Sequence, residues 1–89
     1  MNRFASETVA DIYQWRFAKG VEQHLSVAAH KLLHPLVAAC SLQDVDVYGP
    51  IYNWPKLPGR LGIWVEGKWY LTFEWIEGQG AFEIQLERR

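Results

Sequence analysis

The chain has 89 residues, of which 49% are hydrophobic and 21% charged, and its formal net charge is −1. That length supports one domain, residues 1–89, which buries only roughly 60–65% of its unfolded surface, so five Trp, four Tyr and four Phe must supply much of the core. Apolar runs break within about 6 residues, far below the roughly 20 that cross a bilayer. The start, Met1-Asn2-Arg3-Phe4-Ala5-Ser6-Glu7, has no apolar signal core, so a cytoplasmic protein with no membrane partner is expected. The single Cys40 excludes an internal disulfide and a Cys-based zinc site. Nine Lys and Arg against ten Asp and Glu leave no global positive field to attract nucleic acid.

In chain order, Asn2 to Ala5 is a candidate edge strand. Ser6 then stands as an N-cap before Glu7, and Val9, Ile12, Tyr13, Arg16 and Phe17 recur at helical spacing, which predicts a first helix from Glu7 to Ala18, ended by Lys19-Gly20. A second helix is predicted from Glu22 to Ala39. Its stripe is Leu25, Ala28, Ala29, Leu32, Leu36, Ala39 and Cys40, with His30, Lys31 and His34 on the other side. Pro35 inside it removes a backbone donor and predicts a kink or break. After Ser41 the period falls to 2, and Gly49-Pro50, Pro55 and Pro58-Gly59 punctuate an irregular approach to a sheet. Leu61, Ile63 and Val65 predict one strand, Glu66-Gly67 a hairpin turn, and Trp69, Leu71, Phe73 and Trp75 a second strand. Phe82, Ile84 and Leu86 predict a third.

Two helices followed by a meander define an α+β class, with the helices packed on the aliphatic face of a small antiparallel sheet. The opposite face would stay open and carry Arg60, Trp64, Lys68, Tyr70, Thr72, Glu74, Glu83, Gln85 and Glu87. Large aromatics on a solvated face suit either a stacking surface or a cross-strand pair that merely steadies the hairpin.

Three strings point further. They are Ala38-Ala39-Cys40-Ser41-Leu42-Gln43-Asp44-Val45, then Leu57-Pro58-Gly59, then Lys68-Trp69-Tyr70-Leu71-Thr72-Phe73-Glu74-Trp75. In order and spacing they resemble the RelE/ParE toxin superfamily, specifically its HigB-like branch of plasmid maintenance system killer proteins, over about Ala28 to Leu86. The resemblance implies a RelE-like fold and the toxin of a type II toxin–antitoxin pair. It implies a ribosome-dependent mRNA endoribonuclease without cofactor, and as partners a helix-turn-helix antitoxin, the ribosome and mRNA. The alternative is a non-catalytic module on the same fold, antitoxin-binding or gyrase-directed. Three family positions are filled differently here: the central-strand Arg by Tyr70, the Lys before the loop Gly by Pro58, and the Tyr-His ending by Glu87-Arg88-Arg89.

Cleavage by an attacking ribose hydroxyl needs a base, an acid and fixed cations at the phosphate. The catalytic candidates are therefore Tyr70, Arg60 and Lys68, and the binding candidates Trp64, Lys56, Arg88 and Arg89. Glu66, Glu74, Glu83 and Glu87 lie on the same elements and oppose them in charge. His30 and His34, four residues apart, have the spacing of two zinc or copper ligands, but without the Glu of a metalloprotease motif they are expected to be solvated surface residues and no metal is assigned. Cys40 is expected to be a buried structural thiol. Gly59-Arg60-Leu61-Gly62 leads into a strand and so is not a phosphate loop.

Overall fold

The computed structural model describes residues 2–89, which form an α+β domain with three helices and one four-stranded antiparallel sheet. The helices are α1, Glu7–Tyr13; α2, Gln23–Ala38; and α3, Leu42–Asp46. The strands are β1, Ile51–Asn53; β2, Arg60–Glu66; β3, Trp69–Ile76; and β4, Gly80–Arg88, paired in the order β1-β2-β3-β4.

The Ser6 cap is present: its hydroxyl accepts from the Val9 N–H at 3.4 Å and donates to Gln85 Oε1 at 3.0 Å. Helix α1 is nevertheless shorter than its spacing suggests. The Trp15 N–H bonds the Ile12 carbonyl and the Arg16 N–H bonds the Asp11 carbonyl, the paired contacts of a Schellman stop. Such a stop needs a left-handed residue, usually Gly, and here Trp15 takes it at φ 61°. Arg16 and Phe17 consequently leave the helix and lie exposed.

Helix α2 runs without a break through Pro35. The carbonyl that loses its partner belongs to Lys31, an exposed residue. Leu25, Ala29, Leu33 and Leu36 are its buried side. Cys40 is exposed, not buried, because the helix has ended and the chain turns at Ala39. The Asp44 carboxylate accepts the backbone N–H groups of Cys40 and Ser41 at 3.1 and 3.2 Å, which starts α3, a helix too short to show a period in the sequence.

The sheet holds four strands where three were expected, β1 being added on β2 through Ile51↔Ile63 and Asn53↔Leu61. The β2–β3 turn is Gly67-Lys68, one residue later than predicted, since Glu66 pairs with Trp69 and Gly67 adopts φ 54°. A register shift between Trp64 and Glu66 then sets Ile63 opposite Leu71 and Trp64 opposite Tyr70. A second shift lies between Thr72 and Glu74, with Glu83 on the partner strand at φ 51°. This bulge carries Ala81 and Ile84, three residues apart, into the core, and it moves Phe82 off the core side predicted for it. Arg3 covers the Phe82 ring at 4.4 Å. The chain at Asn2 to Ala5 does line an edge, bonding β4 through Asn2, Arg3 and Ala5 with a parallel bridge from Phe4 to Ile84.

The core joins Val9 and Ile12 of α1, the buried side of α2, Val45 of α3, and Ile63, Val65, Leu71, Phe73, Ala81 and Ile84 of the sheet. At roughly 1.5–3 kcal/mol for each fully buried aliphatic or Phe side chain, this cluster is the main stabilising term. Among the described residues no helix is long and apolar enough to cross a membrane.

Candidate functional site

The sheet surface away from that core has three rows set by strand register. Trp64, Tyr70 and Glu87 form the first; Tyr52, Gly62, Thr72 and Gln85 the second; Arg60, Glu74 and Phe82 the third. Neighbouring strands lie roughly 4.8 Å apart, so members of a row touch.

This face is closed only at its middle, where Arg60, Gly62 and Thr72 are buried, while Tyr52, Trp64 and the Glu74 side chain stay exposed. Trp54, one residue past β1, keeps the β1–β2 register opposite Arg60, its N–H donating to the Arg60 carbonyl at 2.7 Å, and the indole lies against Gly62 and, at 5.5 Å between ring centres, against Tyr70. A Cβ on Gly62 would stand 3.1 Å from Trp54 Cε3, so this strand position needs glycine for space. Trp54 is 3% exposed, and its indole N–H meets no acceptor among the described residues. Tyr52 continues the aromatic surface edge-on to Tyr70 at 6.1 Å.

Beneath this cover Arg60, whose side chain is 10% exposed, spends its donors inside the protein. Its Nε donates to Thr72 Oγ1 at 3.1 Å, and its Nη2 donates to the Thr72 carbonyl at 3.3 Å and to the Glu83 carbonyl. The Glu87 and Glu74 carboxylates stand 3.6 and 3.8 Å away, and the Thr72 hydroxyl donates on to Glu87. The planar fork suits this task because it serves several fixed acceptors at once. It also holds the left-handed Glu83 in place through that residue's own carbonyl. Arg60 is thus a buried structural cation with two carboxylates beside it.

The other candidates separate into two places. Lys68, Arg88 and Arg89 gather at the hairpin end, where the Arg89 N–H donates to the Lys68 carbonyl at 2.8 Å and Arg88 pairs with Trp69. Trp64, half exposed, joins them there by donating its indole N–H to the Gly67 carbonyl at 2.9 Å. Lys56 is exposed in the loop before Arg60, at the far end of β2 from this cluster. Tyr70 lies between the two, packed among Tyr52, Trp54 and Trp64.

Also at the hairpin end, His24 bonds Glu66 at 2.5 Å through Nδ1 and Glu22 through Nε2. These two carboxylates, Glu66 foremost, raise its pKa above the ordinary 6.5. Two acceptors need two N–H donors, which only the imidazolium has. His30 and His34 are not simply solvated: His30 is half-buried and bonds the Ile12 carbonyl, and His34 stacks on Tyr13. Separate from the sheet face, a cleft of about 370 Å³ lies between α2 and the Trp15 to Ala18 segment.

Trp54 and the partners of Arg60 were missed as a unit. Alternation did put Arg60, Thr72, Glu74 and Glu87 on one face, but Pro50 and Pro55 around the short β1 hide that Tyr52 and Trp54 alternate onto that same face. No protein-family model matches the chain, and no curated protein matches it.

Proposed function

We propose that the protein is a RelE/ParE-superfamily protein of the HigB-like branch, with its two longer helices packed on one face of the sheet. In this reading it is the cytoplasmic toxin-fold member of a type II toxin–antitoxin pair that acts by binding and not by cutting RNA. The resemblance of the three sequence strings and the order of helices before an antiparallel meander support the family. The observation that carries the binding reading is the state of Arg60. A guanidinium bonded to Thr72 and the Glu83 carbonyl, with two carboxylates within 4 Å, has little positive charge to offer a phosphate. Tyr70 supplies a surface for stacking and a hydroxyl, and lacks the fixed charge that transition-state stabilisation needs. The partner is a helix-turn-helix antitoxin, met through Trp64, Tyr70 and Tyr52.

The experiment is inducible expression with and without the product of the neighbouring gene. Growth should be little affected by the protein alone, and the two products should co-elute in size-exclusion chromatography, with Trp64→Ala weakening the complex. A monodisperse monomer indifferent to its neighbour would remove the reading. The endoribonuclease reading keeps one observation in its favour, the placement of Lys68, Arg88 and Arg89 at the hairpin end that Trp64 also bonds, since cations and an aromatic on one end suit a single-stranded phosphate backbone. It requires codon-dependent cleavage of ribosome-bound mRNA that is lost when those three residues become Ala.

A further inference from the structure

His30 and His34 of α2 lie four residues apart and so on one side of the helix. Their ring centroids are 4.6 Å apart with the planes at 78°. Nδ1 of His30 is 2.8 Å from the Ile12 carbonyl oxygen. A carbonyl only accepts, so Nδ1 carries the proton and the lone pair of the neutral ring is on Nε2. The rings are held from the end of α1, His30 by the Trp15 indole at 4.4 Å and exposed His34 by Tyr13, stacked at 4.7 Å.

We propose that His30 and His34 form a two-histidine chelate for a divalent late transition metal ion, Ni²⁺, Cu²⁺ or Zn²⁺, completed by water. Imidazoles bound through nitrogen at about 2.0–2.1 Å place their centroids about 3.2 Å from the ion, hence about 4.5 Å apart at a right angle and about 5.2 Å apart at the tetrahedral angle. The observed 4.6 Å fits adjacent positions of a square-planar or octahedral ion, the geometry that Cu²⁺ and Ni²⁺ prefer. Nearly perpendicular rings are compatible with it, because each ring needs only to contain its own metal–nitrogen axis. The bond from Nδ1–H to a backbone carbonyl is the outer contact that ligating histidines use to fix ring orientation. Among the described residues no group of three or more His, Cys, Asp and Glu is placed to hold a metal, so the pair is a bidentate site with water in the remaining positions. Lys31, Leu32 and Leu33 stand between the ligands and offer no carboxylate or imidazole as a third bond to the ion. Through His30 and Ile12 the ion would tie α2 to the last turn of α1.

The test is calorimetric titration of the metal-free full-length chain with NiCl₂, with the imidazole nitrogens followed by NMR during addition of ZnCl₂. One Ni²⁺ should bind per chain, and the His30 and His34 signals should move while those of His24 stay. His34→Gln should weaken Ni²⁺ binding about tenfold or more, and His24→Gln should leave it unchanged. Should His30→Gln disturb the half-buried contact to Ile12, the exposed His34 variant still decides the matter. No saturable binding at millimolar Ni²⁺, undiminished binding by His34→Gln, or one ion shared by two chains would overturn the proposal.

Discussion

Replacing Arg60 by Ala leaves the Thr72 and Glu83 carbonyls without their donor and removes the cation between Glu74 and Glu87. Breaking a fully buried ion pair costs about 3–5 kcal/mol. Here the Glu74 and Glu87 side chains are 47% and 30% exposed, so water takes up part of their charge and the full figure does not apply. Two orphaned carbonyls at about 1 kcal/mol or more each, with the discounted charge effect and the lost alkyl packing, bring the expected cost to about 2–4 kcal/mol. A domain of this size has roughly 4–13 kcal/mol in all, so the variant should be visibly weakened yet fold. Urea unfolding followed by Trp fluorescence is the assay, and the melting temperature should fall by roughly 10–30 °C. Arg60→Lys keeps the charge, but a single ammonium cannot span Thr72 and Glu83 together, and it should lose about half as much. If Arg60→Ala unfolded within about 0.5 kcal/mol of the parent, a typical value for surface substitutions, the structural role given to Arg60 would be wrong.

Gly62→Ala should displace Trp54, because the new methyl meets Cε3 at 3.1 Å, and it should cost about 1–3 kcal/mol with a shift in Trp emission. Ser6→Ala should remove about 1 kcal/mol by uncapping α1, read from the midpoint of the same urea curves. His24 should titrate above 6.5 by NMR, and Glu66→Gln should lower that value. Its folded pKa is the raised one, so the tether it makes between α2 and the hairpin is complete below pH 6.5 and fades as pH rises through the folded value. Amide exchange at Gly67 and Lys68, corrected for the intrinsic rate, should quicken across that range.

Helix α2, the Ser6 cap and the two long strands were legible because each carries a periodic apolar signal tied to burial. The α1 stop was not, since the residue at its left-handed position is Trp15, where sequence rules look for Gly or Asn. Register shows the same limit. A two-residue turn at Gly67-Lys68, continued without interruption, would set Ile63 opposite Thr72 and mix the two faces, and the irregularity near Val65 restores the match. Glu83 acts likewise in β4, and nothing in Ala81-Phe82-Glu83-Ile84 announces a bulge. Arg60 was legible as a cation on the correct face but not as a buried one. Its burial goes with a strand, β1, whose three residues are too few to show a period, and with the bulge at Glu83, whose carbonyl it bonds and which no spacing encodes.

The strap formed by Asn2 to Ala5 also protects against self-association. It occupies the outer side of β4 next to Glu83 and Ile84, at the middle of a nine-residue strand that would otherwise present its backbone groups to any passing chain. The opposite border of the sheet is only three residues long at β1, so little template remains there. Trimming the first five residues, or forcing them aside with a bulky fusion, would therefore expose the longer of the two borders. The expected result is growth of β-rich aggregates, with the core loosened where Phe4 packs beside Tyr13 and the aromatic surface around Tyr70 intact.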